Sequence, residues 1–157
     1  MPMQESALTL RPALEADEPF LFELRKATMT EHLARAGESI DDAQHHARLR
    51  HRYDAAQVIC LDGTQAGLLK TYRTENEWVV MQLQIAPAHQ GRGMGERVLQ
   101  TVLQAAQTDT LPVTLKVLKG NPAKHLYERL GFEIVDEDKI QFHMRRAPRA
   151  SAETRAE

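Results

Sequence analysis

The sequence has a single cysteine, Cys60, so no disulfide can form within the chain and no covalent staple is expected to hold the fold. It has no stretch approaching the roughly 18 uninterrupted apolar residues that a spanning helix needs, so no membrane partner is expected. Met1 to Leu10 lacks both the basic start and the apolar middle of a signal peptide, and the chain reads as cytoplasmic. It lacks any excess of one charge: 20 Lys and Arg face 22 Asp and Glu, for a formal net charge of -2. Without a positive field to gather phosphate backbones, nucleic acid is not an expected partner. No internal repeat, linker or low-complexity run divides the 157 residues. What is present is ordinary globular composition, 42% hydrophobic and 27% charged, in a chain long enough for one core. The expectation is one domain over residues 1–146 with a polar tail, 147–157, that is disordered. Cys60 lies in the apolar run Val58-Ile59-Cys60-Leu61, where a thiol acts as a small hydrophobe and nothing nearby stabilises a thiolate.

Along the chain, Leu8 to Pro12 alternates with period two and ends at a proline, the pattern of a short edge strand. A helix should follow, with Asp17 as its cap, Pro19 in its first turn, and Phe20, Leu21, Leu24 and Ala27 on one face. Ser39 or Asp41 starts a second, thinly amphipathic surface helix to about Tyr53. Gln57 to Leu61 and Gln65 to Tyr72 flank Asp62-Gly63 as a hairpin, because Asp-Gly supplies the positive φ angles of a tight turn. Trp78 to Ile85 reads as a strand with Val79, Met81, Leu83 and Ile85 on one purely apolar face. Three glycines at 91, 93 and 95 lead into a helix striped by Val98, Leu99, Val102, Leu103 and Ala106. Val113 to Leu118 is a strand, and Pro122 to Leu130 a helix opened by Asn121 and stopped at Gly131. Phe132 to Val135 and Ile140 to Met144 are the final strands. The order is β-α-α-β-β-β-α-β-α-β-β.

The segment from Leu83 to Gly95 is the most informative, since a strand passes through a glycine-rich turn into a helix. Glycines let the backbone approach a ligand, and the free N–H groups and dipole of the first helical turn favour an anion such as pyrophosphate. The same glycines can serve only as a tight turn. The dinucleotide fingerprint fails on the spacing Gly91-x-Gly93-x-Gly95 and on the absence of an acid near Leu111 to Leu115. A Walker loop fails because Glu96-Arg97, and not Lys followed by Ser or Thr, comes after Gly95.

Gln90-x-x-Gly93-x-Gly95, after a strand ending Ile85-x-Pro87, resembles the CoA-binding motif of the GCN5-related N-acetyltransferases (GNAT). Asn121 to Phe132, with Ala123 four residues before Tyr127 and Leu130-Gly131-Phe132 closing the helix, resembles the second signature of that family. The resemblance implies an α/β (α+β) fold with a mixed, mostly antiparallel central sheet, splayed between strands 4 and 5 and flanked by about four helices. It implies acetyl-CoA as co-substrate, no metal, and transfer to a primary amine, either a small molecule or a peptide. A homodimer is compatible with it. Carried over by position, the backbone of Leu83, Gln84 and Ile85 would pair with the pantetheine arm. Gln90, Gly91, Arg92, Gly93, Met94, Gly95 and Glu96 would form the pyrophosphate loop, with Arg92 either adding charge or merely solvated. Tyr127 would protonate the CoA thiolate, its alternative being a packing role. Asn121 would touch pantetheine, although it stands one residue closer to Tyr127 than is usual in the family and its alternative is to cap a helix.

A thioester is attacked by a neutral amine, so a base or ordered water must take a proton. Many members of the family carry a glutamate in the fourth strand where this chain has Val79. Glu77, one step of the pleat away, is the expected substitute, with Glu75 further out in the loop. His32 is the expected acceptor contact, while His45, His46 and His51 read as surface residues and no zinc-motif spacing is present. Two rival readings differ in class: a catalytically inactive acyl-CoA-binding sensor or interaction domain, and a nucleotide-binding module whose glycine turn accepts NAD or ATP.

Overall fold

The computed structural model describes residues 7–35, 37 and 40–149. The Ser39 alternative for a helix cap and tail residues 150–157 lie outside them. In chain order the elements are β1 (Leu8–Pro12), α1 (Glu18–Arg35), α2 (Asp42–Arg50), β2 (Ala56–Leu61), β3 (Thr64–Arg73), β4 (Trp78–Ile85), α3 (Met94–Asp109), β5 (Val113–Leu118), α4 (Ala123–Arg129), β6 (Glu133–Glu137) and β7 (Gln141–Arg146). The seven strands form one sheet in the order β1-β2-β3-β4-β5-β7-β6. Only β4 and β5 run parallel; every other pair is antiparallel. This is the mixed, splayed sheet that the resemblance implies.

Apolar alternation gives the sheet two buried faces. Val58, Cys60 and Leu68 join Leu21, Leu24 and Leu49 in the cluster under α1 and α2. Ile59 and Leu69 join Val98, Leu99, Val102 and Ala106 in the cluster under α3, together with Tyr127 and Phe132. The Asp62-Gly63 turn takes φ of 53° and 84°, which closes the β2–β3 hairpin as its sequence predicts.

Three expectations are corrected. Asp17 does not turn forward onto α1. Its carboxylate takes both arms of Arg11 at 2.8 Å, the Leu14 N–H at 2.7 Å and Gln65 at 2.8 Å. The hydrogen bond to Arg11 holds this carboxyl low, at about 2. Ala27 is exposed, and Arg25 takes the buried position four residues after Leu21. The face of β4 is not simply alternating, because the β3–β4 register shifts between Lys70 and Thr71, pairing them with Gln82 and Val80 and leaving Met81 as an extra residue. Such a bulge re-aims the strand beyond it. Val80, Leu83 and Ile85 therefore all pack in or against the α3 cluster, while Gln84 is buried at 5% exposure. At the far end, the backbone of Arg149 exchanges hydrogen bonds of 2.9 and 3.0 Å with the Gln107 side chain.

β3 and β4 approach closely at Gly67. A Cβ there would strike the Gln84 carbonyl oxygen, a backbone atom that cannot swing aside, and would stand 3.1 Å from Ile59 Cδ1. Gly67→Ala is expected to destabilise the chain by about 1–3 kcal/mol, read as a lowered denaturant midpoint. An unchanged midpoint would contradict the close approach.

Candidate active site

β4 and β5 pair over only three residues, Trp78 with Val113, Val79 with Thr114 and Val80 with Leu115. Their paired end is pinned. The Trp78 N–H donates to Pro112 O at 2.9 Å, and Asp109 at the end of α3 accepts from Trp78 Nε1 at 2.9 Å and Arg73 Nε at 3.0 Å. Past Val80 and Leu115 the strands part while their outer edges stay bonded to β3 and β7. A sheet that is held on both outer edges and open in the middle presents two unpaired strand edges to each other.

The direction of the β4 edge follows from parity. Ala86 N–H donates to Ala66 O, so in an antiparallel ladder Gln84 also directs its main-chain groups to β3, and Leu83 and Ile85 direct theirs into the split. Gln90 Nε2 donates to Ile85 O at 2.9 Å, which agrees with this direction. Of the three β4 residues expected to pair with a ligand through their backbone, Leu83 and Ile85 are oriented for it and Gln84 is not. Gln84 contributes its side chain instead.

Two cavities open along the split. One, of about 940 Å³, is walled by α1 and α2 residues such as Arg25 and Arg48 and by the parted strands. The other, of about 400 Å³, is lined by the glycine turn and the start of α4. Met29, Leu83, Gln84, Asn121 and Tyr127 line both, so the cavities meet at these side chains. Six buried side-chain polar atoms have no hydrogen-bond partner among the described residues: Arg25 Nε, His32 Nδ1, His45 Nδ1, Gln82 Oε1, Gln84 Oε1 and His89 Nδ1. All but His45 belong to residues lining these cavities. Buried polar groups are normally paired, so their concentration here marks a place prepared for a polar ligand.

The glycine turn has the geometry of an anion loop. Gly91 and Gly93 take φ of 79° and 75° and have open space where a Cβ would stand. Gly93 is the N-cap position before α3 and no side chain caps that helix, which leaves its first-turn N–H groups toward the smaller cavity. Glu96 in that turn is taken up by Arg129. Gln90 and Met94 both line the smaller cavity and also support the turn, the first through Ile85 O and the second by burial at 3% exposure. Arg92 is exposed and lines neither cavity.

Tyr127 is 7% exposed, packs edge-on to Phe132 at 5.8 Å between ring centres, and has no hydrogen-bond partner for its hydroxyl among the described residues. Burial pushes its phenol up to about 12. Asn121 Oδ1 accepts the Ala123 N–H at 2.9 Å at the start of α4, and the residue lines both cavities. Glu77 lies at the pinned end, where Thr114 Oγ1 donates to its carboxylate at 3.0 Å; it lines neither cavity itself, while Thr114 lines the larger one. His32 lines the smaller, glycine-turn cavity and not the larger one. His45 is not a surface residue but is 2% exposed, and burial lowers its pKa. Among the described residues no group of three or more His, Cys, Asp or Glu is placed to hold a metal ion, and no helix is long and apolar enough to cross a membrane.

Sequence reasoning passes over Arg25, Gln82 and His89. For Arg25 a signal exists, its spacing of four from Leu21 on the inner face of α1. Gln82 and His89 carry none, since the bulge that re-aims β4 and the short helical turn at Pro87–His89 are tertiary features.

A family model described as the acetyltransferase (GNAT) domain matches residues 53–134. No curated protein sequence matches the chain. Among solved structures, the PaiA N-acetyltransferase of Thermoplasma acidophilum in complex with coenzyme A superposes with a TM-score of 0.71 at 16% identity, covering 90% of this chain and 99% of that one. An acetyltransferase of Thermus thermophilus gives 0.70 at 24%, covering 89% and 96%. Arabidopsis thaliana Naa50, in complex with the bisubstrate analogue CoA-Ac-MVNAL, gives 0.66 at 15%, covering 89% and 98%.

The raised phenol gives a pH prediction. A group that holds its proton more tightly when folded contributes stability that is fully present below pH 10 and is lost as pH rises through about 12. Melting temperature should fall across that window, and Tyr127→Phe should fall less steeply there. Identical alkaline limbs would contradict the burial of the hydroxyl.

Proposed function

The chain belongs to the GNAT acetyltransferase family, and from that membership we propose that it is an N-acetyltransferase carrying the acetyl group of acetyl-CoA directly to a primary amine. The observation that carries this reading is the meeting of the two cavities at Leu83, Gln84, Asn121 and Tyr127. One cavity leads to an anion loop suited to a pyrophosphate, the other to a separate chamber for an acceptor. A two-substrate direct transfer needs that arrangement.

In this reading the N–H groups of Gly93, Met94 and Gly95 hold the pyrophosphate, and the edge of β4 pairs with the pantetheine amides as an added strand would. The N–H of Leu83 or Ile85 donates to the acetyl oxygen as it gains negative charge. The amine nitrogen bonds to the carbonyl carbon, the carbon–sulfur bond breaks, and the departing thiolate takes the proton of Tyr127, which solvent restores. The phenol is protonated at neutral pH, the form this role needs, and burial makes it a weaker acid than a free tyrosine, so the transfer depends on its being held at the sulfur. The amine gives its own protons to water in the larger cavity, and the unpaired oxygens of Gln82 and Gln84 are acceptors that can orient it. A cytoplasmic location and a homodimer belong to the same reading.

One observation favours a second reading, an acyl-CoA-binding domain without transfer: Val79 stands on β4 where a glutamate is common, and Glu77 is withdrawn to the pinned end. The two differ in whether amines accelerate thiol release from acetyl-CoA. The direct-transfer reading expects amine-dependent release, with kcat reduced about 10²-fold in Tyr127→Phe. Full turnover in that variant would remove Tyr127 as the acid, and no amine-dependent release from any amine would leave the sensor.

A further inference from the structure

The larger cavity holds a charge imbalance that transfer itself does not use. Arg25 leaves α1 on the inner face of the helix and is 3% exposed, with Nε enclosed and unpartnered. No ion pair or hydrogen bond joins its guanidinium to any described residue. Arg48, on α2, lines the same cavity. Burial first, and then repulsion from Arg48, lower Arg25 to about 10. Lys70 is close by and fully buried, lowered to about 8 by burial and then by Arg25. Its ammonium is occupied, donating to Leu49 O at 2.8 Å, His51 O at 2.6 Å and Arg48 O at 3.3 Å. His45, also near, has its pKa lowered by burial and by Arg25. The single acid among the residues lining the cavity, Asp136 on β6, is ion-paired to neither arginine.

Holding a guanidinium out of water without a counter-charge is costly, and truncation or pairing relieves it. Its planar fork of donors matches the paired oxygens of a carboxylate or phosphate. The same chamber extends to Gln82, Gln84 and Tyr127. One small acceptor can therefore present an anion to Arg25 and an amine to the centre of the split.

We propose that Arg25, supported by Arg48, is an anion-recognition site in the acceptor chamber, and that the acceptor is a small primary amine bearing a carboxylate or phosphate group. The amine half rests on the acetyltransfer reading; the anion site does not. Arg25, Arg48 and Lys116 in the lining also disfavour polycationic acceptors such as polyamines by like-charge repulsion.

The test uses matched pairs with the full chain. Thiol release is measured with glycine, glutamate and phenylalanine against their carboxamides, and with O-phosphoethanolamine against ethanolamine. The anionic member is expected to win by at least about tenfold in kcat/KM, and Arg25→Met is expected to erase most of that advantage through KM. Which pair shows the advantage separates carboxylate from phosphate. Acetyl-CoA affinity should be retained in the variant. A readout independent of transfer is the melting temperature with N-acetylglycine, N-acetylglutamate and N-acetylphenylalanine, each against its amide and, for the phosphate arm, N-acetyl-O-phosphoethanolamine against N-acetylethanolamine. The anionic members should stabilise the wild type, stabilise Arg48→Gln less, and leave Arg25→Met unmoved. Equal or better turnover of amides and spermidine in the wild type would overturn the proposal. So would stabilisation by the anionic products that is absent, or unchanged in Arg25→Met. If acetyl-CoA binds and no amine reacts, the transfer reading fails while the thermal shifts alone decide the anion site.

Discussion

The parting of β4 from β5 is the constraint on which the rest of the molecule depends. Three paired residues at one end, pinned by Asp109 and the Trp78–Pro112 hydrogen bond, are followed by strands that diverge. A parallel pair that stopped short at a sheet edge would be trivial. Here both strands are central, held by β3 on one side and β7 on the other, so the gap cannot close by sliding. The main-chain groups of Leu83 and the N–H of Ile85 are thereby kept open at fixed positions, with Ile85 O taken by Gln90, and both cavities follow the gap.

The bulge at Met81 is the second part of the same design. It lets Val80, Leu83 and Ile85 all serve the α3 core, and it leaves Gln82 and Gln84 with buried oxygens that no described residue satisfies. Such groups weaken a fold unless something pairs with them. The close contact at Gly67 holds β3 against this stretch, and the α3 helix carries its uncapped N-terminus to the end of the same strand. Fold stability and ligand readiness are set by the same few residues of β4.

Much of this was legible in the sequence. Strong period-two and helical stripes gave β1, β4, β5 and α3 at or close to their observed bounds, because those elements are strongly patterned and bounded by Pro or Gly. The glycine turn and the Tyr127 segment were legible because positive φ and a helix stop leave clear marks in composition. The faces of β4 were not, since a one-residue bulge is invisible to alternation. Nor was the fate of the charged groups. Asp17, Glu77 and Arg25 look alike as solvated side chains in a sequence. Tertiary contacts send the first to Arg11 and Leu14, the second to Thr114, and leave the third buried without an anion.

The central claim is that the split with its glycine turn takes acetyl-CoA. Calorimetric titration of the full chain with acetyl-CoA, repeated in the presence of NAD and of ATP, tests it most directly. The account predicts saturable micromolar binding to one site per chain that neither nucleotide displaces. Absence of binding, or displacement by NAD or ATP, would contradict it and return the glycines to the role of a turn or a general nucleotide loop.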